Sequence, residues 1–298
     1  PVNTPYIYQA EKYDDPAENS HVNGVPVTGF KSAGDGRGTL KALVQYFTQT
    51  SSVTTLHQDV TDLAGIPDEM ARDIAKRTKE LSFDMESAFL EDDDHREDNG
   101  VVGYKTRGVG SWISTAAQTL YPVPEAFRPP TASVSTTATA SLTENTIIDI
   151  LESVGTETKS RKAITAVVGV KLKRALNNLP LFTPSSTLVG GTPTGATGVV
   201  YNQTGVRAVD RVMERYNSDF GPVNAVLSHR LVRLGGNTIE RTYTGYFLHM
   251  DMWQLRWNKK PQWMRKEYQG GAYEAFCEAI CMLVCKNPRG EAKYQPTT

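Results

Sequence analysis

The sequence predicts an α+β protein, and three features of the chain support that fold class. Residues 67–90 carry one apolar stripe at helical spacing, and residues 245–285 are rich in side chains typical of strands. Residues 1–50 are polar, rich in turn-forming residues and poorly periodic. A long helix packed on a sheet, with an extended N-terminal segment outside both, accounts for all three features.

Composition excludes several classes of protein. The 298 residues include 32 Lys and Arg and 33 Asp and Glu, a formal net charge of −1, so the basic excess of a dedicated nucleic-acid-binding protein is missing. No run approaches the ~18 apolar residues that an integral helical membrane protein needs. Three Cys in a chain of this length argue against a disulfide framework and favour a reducing compartment.

Residues 1–50 are predicted to form an N-terminal arm. Short β-prone pieces are separated by glycines at Gly24, Gly29, Gly34, Gly36 and Gly38. Large apolar residues are too scattered to form a core, so we expect an extended hairpin with little core of its own, whose partners lie on a neighbouring chain. Residues 43–60, which overlap the end of the arm, predict a strand because β-branched and aromatic types are frequent there.

Residues 67–90 predict one uninterrupted helix. Its apolar positions follow steps of 4, 4, 7, 4 and 4 residues, and they are Ile66, Met70, Ile74, Leu81, Met85 and Phe89. Pro67 suits the first helical position, and Asp68 favours the positive end of the helix dipole. The acidic run 91–98 opposes that dipole at the other end, so the helix is expected to end near Leu90.

The remainder of the chain predicts a second α/β region and closing strands. Ser141 or Thr143 is expected to cap a helix near Glu144, with an apolar face of Ile147, Ile148, Leu151 and Val154. The other predicted segments are an exposed linker over 129–141, a strand over 163–169, a helix over 170–179, a loop over 180–205, two strands within 206–234 and further strands over 245–285.

No catalytic, cofactor-binding or metal-ligating residue is predicted. Residues 34–38 are rich in glycine but lack the strand-to-helix context and the Lys-Ser/Thr ending of a phosphate loop, so a hairpin tip is the favoured interpretation. No histidine has a His or Cys partner four residues away; the five are His21, His57, His95, His229 and His249. A Ser-His-Asp triad needs residues that meet only in space, and no pattern selects one.

The three cysteines are spaced by four residues, at Cys277, Cys281 and Cys285. A tetrahedral metal site needs a fourth ligand, and none is nearby. In a strand, an even spacing places all three on one face. We therefore expect buried thiols without metal that behave as small apolar side chains.

Two charged segments have competing interpretations. The acidic run 91–98 lacks the alternating spacing and the glycine of a calcium loop, so a solvated loop is favoured. In segment 253–266, three Trp lie among five Lys and Arg, a combination that suits single-stranded nucleic acid. A strand pair whose Trp side chains face the core is favoured there, and a single-stranded nucleic-acid-binding module is the alternative.

Several segments, in a fixed order, resemble one protein family. They are Tyr46-Phe47-Thr48-Gln49-Thr50, the helical stretch 68–86, Gly110-Ser111-Trp112-Ile113, Ser141-Leu142-Thr143-Glu144, Tyr216-Asn217-Ser218-Asp219-Phe220-Gly221 and Asp251-Met252-Trp253. From about residue 40 to residue 293, the chain resembles the major capsid proteins of tailed phages, in the SU-ten-type branch of the Hong Kong 97-type capsid fold. Residues 1–40 match in position and character alone.

The resemblance implies a structural protein rather than an enzyme, without cofactor or metal. It implies an N-terminal arm and extended loop over 1–50, the first part of a peripheral domain over 51–140 with the spine helix 67–90, an inserted axial α/β domain over 141–244 and closing peripheral strands over 245–298. It further implies hexamers and pentamers in an icosahedral shell around double-stranded DNA. Scaffolding, portal and decoration proteins are the implied partners, the virion is the implied location, and the host bacterial cytoplasm is the implied place of assembly.

Overall fold

The structure is a computed structural model that describes residues 5–59, 68–177, 215–231 and 241–296, apart from residues 19, 33, 35 and 269. Several sequence-based predictions lie wholly or partly outside the described residues, including the last residues of the helix predicted over 170–179 and of the strand predicted over 43–60. They also include the first helical residues Ile66 and Pro67, the loop 180–205 and the first part of the strand pair within 206–234.

The described residues contain strands and α-helices in mixed order. In chain order they are β1 (Pro5–Glu11), β2 (Arg37–Leu43), β3 (Gln45–Thr54), α1 (Thr55–Asp59), α2 (Glu69–Phe89), α3 (Val109–Trp112), β4 (Val134–Ser135), α4 (Glu144–Thr158), β5 (Ile164–Val168), α5 (Val170–Asn177), β6 (Arg215–Ser218), β7 (Gly221–Leu227), β8 (Gly245–Leu248), β9 (Trp253–Arg265), β10 (Ala272–Cys285) and β11 (Ala292–Tyr294).

The chain divides into two compact units. Unit 1 comprises Pro1–Arg128 and Gln254–Pro288, and unit 2 comprises Pro129–Trp253 and Arg289–Thr298. Unit 1 contains the hairpin β1–β2, a three-stranded sheet in the order β3-β10-β9, and helix α2. Unit 2 contains a six-stranded sheet in the order β4-β11-β8-β5-β7-β6, with helices α4 and α5.

Helix α2 confirms the predicted long helix, with a shorter N-terminal end. It begins at Glu69 rather than at residue 67, because Asp68 has extended backbone and caps the helix. The Asp68 carboxylate accepts a hydrogen bond of 3.0 Å from the Ala71 N–H. The helix ends at Phe89, one residue before the predicted Leu90. The packed face was predicted correctly, with Met70, Leu81 and Met85 buried and Ile74 half-buried.

The three-stranded sheet supplies the core beneath α2. The buried side chains of its strands that pack with the helix are Phe47, Val53, Ala275, Cys277, Ala279 and Cys281. All three cysteines lie on β10 and are fully buried, as predicted, and their even spacing places them on one face of the strand. The thiols therefore fill space in the core as small apolar groups.

Strands β1 and β2 form the base of the N-terminal arm. They pair antiparallel over their whole length, and the Lys12 N–H then donates to the Gly36 carbonyl oxygen at 2.8 Å. Beyond that bond, every described residue from 12 to 36 is exposed and lies outside helices and strands. The prediction that residues 1–50 have little core of their own is wrong for the last residues of that range. There β2, β3 and the residue between them enter the core of unit 1, and the buried residues are Leu40, Ala42, Leu43, Val44 and Phe47. Helix α1 also shortens the strand predicted over 43–60, which ends at Thr54.

Unit 2 follows the predicted order of helix, strand and helix. Thr143 caps α4, since its hydroxyl accepts a hydrogen bond from the Thr146 N–H at 3.4 Å. Strand β5 pairs parallel with β7 and antiparallel with β8, which makes it a central strand. The buried residues of β5, α4 and α5 form one core. Its members include Ile164 and Val168 of β5, Ile147, Ile150, Leu151 and Val154 of α4, and Leu172 of α5.

The predicted linker 129–141 is a part of the unit 2 sheet and not an exposed loop throughout. Val134–Ser135 forms β4, which pairs parallel with β11 near the end of the chain. The Ser133 hydroxyl lies 2.8 Å from the Ser153 hydroxyl on α4 and is fully buried. The paired residues are 159 positions apart in the chain (Val134 with Lys293 is one partner pair), so no local pattern predicts the pairing.

Candidate functional site

The described residues do not form a metal centre. They contain no group of three or more His, Cys, Asp or Glu side chains that could hold a metal ion. The five histidines lie in separate segments, with His21 in the arm, His57 in α1, His95 after α2, His229 after β7 and His249 after β8. Unit 1 is distinguished instead by the exposed arm and by a group of buried charged side chains within residues 91–107.

The arm presents large apolar side chains to solvent. Tyr13 is 89% exposed, Phe30 87% and Val22 71%. Full burial of a side chain of this size is worth about 1.5–3 kcal/mol, and the arm's own chain supplies almost none of it. Several large apolar side chains left in solvent along one segment favour contact with another chain, so the arm is a candidate assembly surface.

Residues 34–38 lie at the base of the arm, and the prediction that they form a hairpin tip is wrong. The turn midway along the arm is at residues 22–25. Gly36 has a φ of 76°, and a Cβ there would lie 2.6 Å from the Lys12 carbonyl oxygen. Glycine is therefore needed at this position because the two sides of the hairpin approach closely.

The acidic run 91–98 is largely structured and partly buried, which corrects the prediction of a solvated loop. The Lys105 Nζ lies 2.5 Å from the Glu91 Oε2 and 2.7 Å from the Asp93 Oδ2. The backbones of Arg96 and Lys105 exchange two hydrogen bonds, of 3.1 and 3.0 Å. The run is ordered because a basic segment further along the chain folds back beside it.

Arg107 lies at the centre of these charges and is fully buried. Its Nε donates to the Asp94 Oδ1 at 2.7 Å, and its Nη2 donates to the carbonyl oxygens of Leu120 and Tyr121 at 3.1 Å each. Its guanidinium lies 4.7 Å from the ring centroid of Trp112. Burial lowers the pKa of Arg107, and the Asp94 carboxylate opposes that effect.

His95 completes what we call the ion cluster, defined as Glu91, Asp94, His95, Lys105 and Arg107. Its side chain is fully buried, and its ring stacks on the Tyr121 ring with the centroids 5.5 Å apart. Burial, together with the positive charge of Arg107, lowers the pKa of His95 to about 4. The nearby carboxylates of Asp94 and Glu97 act in the opposite direction. His95 is therefore neutral at pH 7.

Segment 253–266 forms the edge strand β9, and its aromatic side chains are divided between core and surface. Trp263 packs beneath α2, and its Nε1–H donates to the Thr78 hydroxyl at 2.9 Å, whereas Trp257 is 37% exposed. Two of the five cations pair with carboxylates of β10, as Lys259 with Glu278 and Lys266 with Glu274. The favoured interpretation is therefore confirmed for the strand pair and for Trp263, and is wrong for Trp257, whose side chain does not face the core.

Unit 2 contains a second buried ionisable pair. Glu291 is fully buried, and its Oε2 accepts a hydrogen bond of 2.9 Å from the backbone N–H of His249. Burial raises the pKa of Glu291 well above its ordinary value and lowers the pKa of His249. Burial thus favours the neutral form of both side chains.

Arg107 and Tyr121 anchor the ion cluster, and neither is among the residues predicted from the sequence to have a role. The available signal was a pair of basic residues, Lys105 and Arg107, placed just after an acidic run and just before the buried Trp112. Opposite charges separated by a turn at Asn99-Gly100 are typical of two segments that fold against each other.

The architecture is that of capsid subunits. It is similar to the capsid of a native GTA particle (TM-score 0.60, 10% identity, 99% of this chain and 86% of that chain). It is also similar to the mature capsid of bacteriophage PhiM1 (TM-score 0.61, 10% identity, 99% and 83%) and to the capsid of Myoviridae phage XM1 (TM-score 0.53, 10% identity, 99% and 87%). This confirms the predicted α+β fold of the Hong Kong 97 type.

The family follows from the sequence itself. A family model described as SU10 major capsid protein matches residues 2–298, and the chain belongs to that family. The protein is therefore a structural head protein of a tailed phage and not an enzyme, and the nucleic-acid-binding alternative is not supported. No curated protein matches the chain. Among the described residues, no helix has the length and apolar character to cross a bilayer.

Proposed function

We propose that this chain assembles as hexamers and pentamers into an icosahedral shell that encloses double-stranded DNA. The exposed arm is the observation that carries the proposal. Ordering a residue costs roughly 1–2 kcal/mol, and residues 12–36 make few contacts within their own chain to offset that cost. A neighbouring subunit that covers the apolar side chains of the arm would supply the missing burial and link the subunits into a shell.

Replacement of residues 13–35 by an Asn-Gly turn tests this proposal. The turn joins Lys12 to Gly36, which are already hydrogen-bonded, so the hairpin β1–β2 is kept. We expect a folded subunit with an unchanged circular dichroism spectrum that forms no stable shells by sedimentation and electron microscopy. If the shortened protein gives particles of normal number, size and heat resistance, the arm does not link subunits.

A matched pair of surface variants tests whether assembly needs the apolar side chains of the arm and not only its length. Tyr13→Ser combined with Phe30→Ser removes two exposed aromatic side chains and should reduce the shell yield. Ser20→Ala combined with Thr28→Ala changes two exposed polar positions of the same arm and should leave the yield unchanged. Equal yields from the two double variants would contradict an apolar arm interface.

Further parts of the proposal concern domains and partners. We propose that unit 1 is the peripheral domain with α2 as its spine helix, and that unit 2 is the axial domain at the centre of each capsomer. Packaged double-stranded DNA is a proposed partner without sequence specificity, since the net charge of −1 lacks the basic excess of a dedicated nucleic-acid-binding protein. Scaffolding, portal and decoration proteins are proposed partners, with assembly in the bacterial cytoplasm and a final place in the virion. Cryo-electron microscopy of assembled particles tests the placement of both units.

A further inference from the structure

Tyr121 has an unusual backbone conformation. Its φ is 44°, in the left-handed region, and among the described non-glycine residues only Lys159 shares a positive φ. Lys159 is explained by its position, because it is the C-cap of α4 and its N–H donates to the Gly155 carbonyl oxygen. Tyr121 ends no helix. A bulky residue stays in this region only where its surroundings impose it, and such residues are concentrated at functional positions.

The ion cluster imposes the conformation of Tyr121. The Nη2 of Arg107 holds the carbonyl oxygens of Leu120 and Tyr121, so the peptide groups on both sides of the strained residue are fixed. Arg107 is itself fixed by Asp94 and by complete burial. Release of the strain would leave a buried guanidinium without two of its acceptors, which is costly.

The Tyr121 ring links the ion cluster to the base of the arm. On the side of the cluster, the Tyr121 ring stacks on the His95 ring, and the Tyr121 hydroxyl donates to the Glu97 Oε1 at 2.6 Å. The other contact is the Nζ of Lys41, which lies 4.3 Å from the ring centroid. Lys41 is on β2, the strand that leads out of the arm, and it pairs with Ile7 of β1.

Strand β2 is therefore held on both of its faces. Leu40 and Ala42 are buried in unit 1, and because side chains alternate along a strand, Lys41 lies on the opposite face. Leu43, on the same face as Lys41, is also buried, so core contacts reach both faces at the end of β2. A cation held over an aromatic ring contributes about 0.5–2 kcal/mol, and here it adds a contact on the second face of the strand.

We propose that Tyr121 is a positioning residue of the arm: the backbone strain maintained by Arg107 directs its ring onto Lys41 and thereby sets the direction in which β2 and the arm leave unit 1. The effect on shell assembly rests on the proposed function. The local effect on β1 and β2 does not, and it can be measured on the unassembled full-length subunit.

Amide hydrogen exchange followed by mass spectrometry tests the proposal. Tyr121→Asn keeps a residue that tolerates the left-handed region and removes the ring. Lys41→Gln removes the cation and leaves Tyr121 untouched, and Lys41→Arg restores a cation. We expect exchange in peptides covering β1 and β2 to be roughly threefold to tenfold faster in the Asn and Gln variants, and close to wild type in the Arg variant. Exchange in α2 and β10 should not change in any of them.

The double variant Tyr121→Asn with Lys41→Gln should exchange no faster than the faster single variant, because both remove the same contact. Exchange that accelerates equally throughout unit 1 would show a purely structural role and overturn the proposal. Unchanged exchange in β1 and β2 in both single variants would also overturn it. Because exchange is read on subunits, either result would leave the proposed shell function unaffected, and that function fails only in the assembly experiments.

Discussion

The buried imidazole of His95 should make unit 1 sensitive to mild acid. Its pKa is about 4 in the folded protein against an ordinary value of 6.5. Because the folded-state value is the lower one, the unfolded chain binds a proton first as the pH falls. The stability that depends on neutral His95 is fully present above pH 6.5, declines below it and is lost by pH 4.

The size of this effect follows from the two pKa values. The difference between 6.5 and about 4 corresponds to about 3 kcal/mol at full extent, at ~1.36 kcal/mol per pH unit. At pH 5 the unfolded state is largely protonated and the folded state is not, so about 2 kcal/mol of that difference is already lost. This is a large share of a typical domain stability of about 5–15 kcal/mol.

Urea unfolding at pH 7.5 and pH 5 should reveal the effect when wild type is compared with His95→Phe. Phe keeps an aromatic ring against Tyr121 and cannot take up a proton. Other titrating groups affect both proteins alike, so the difference in unfolding free energy between them should change by about 2 kcal/mol between the two pH values. His229→Phe, at an exposed position, serves as the control and should show no such change. A wild type and a His95→Phe variant with the same pH dependence would refute the argument.

Three further predictions concern packing and buried ionisable groups. In Gly108→Ala, the new Cβ would lie 2.1 Å from the Glu91 carbonyl oxygen. We therefore expect the free energy of unfolding, measured by thermal unfolding, to fall by roughly 1–3 kcal/mol. The control Gly103→Ala places its Cβ where no atom lies within 4 Å, and it should be nearly neutral. Burial raises the pKa of Cys281 to about 12, so its alkylation at pH 8 should be slow in native protein and fast in urea; equal rates would contradict this. Because burial also raises the pKa of Glu291 above its ordinary value of 4.5, wild type should lose stability relative to Glu291→Gln as the pH rises from 4.5, and a difference in urea unfolding that stays constant between pH 4 and pH 7 would contradict it.

The elements predicted well are those whose sequence pattern is local. Helix α2 has its apolar stripe and its Asp68 cap within one stretch of chain, and α4 has Thr143 and a single apolar face. Strand β9 likewise carries three Trp along its own length, and β10 carries Tyr273, Phe276, Ile280 and Val284. For such segments, the periodicity of the side chains decides both the element and the face that it buries.

The elements predicted poorly depend on contacts between distant residues. The acidic run 91–98 was expected to be solvated because eight polar residues after a helix normally are, but Lys105 and Arg107 fold back over it. Residues 1–50 as a whole were expected to hold too few apolar side chains for a core, yet the end of that range packs in a core to which β10 and α2 contribute. A charged side chain can be buried only where a partner pairs with it. That partner lies elsewhere in the chain, so the residues next to the charge in the sequence do not reveal it.

The position of the ion cluster suggests why unit 1 keeps charges in its interior. A buried ion pair such as Asp94–Arg107 adds little net stability, because desolvation offsets most of the attraction, and apolar residues of similar volume often stabilise as well. Apolar packing, however, tolerates many arrangements, whereas a guanidinium with three fixed acceptors at 2.7 to 3.1 Å tolerates few. For an arm that links subunits as proposed above, one defined geometry at its base matters more than added stability. We infer that the buried charges beneath β2 contribute to the direction of the arm more than to the stability of the fold.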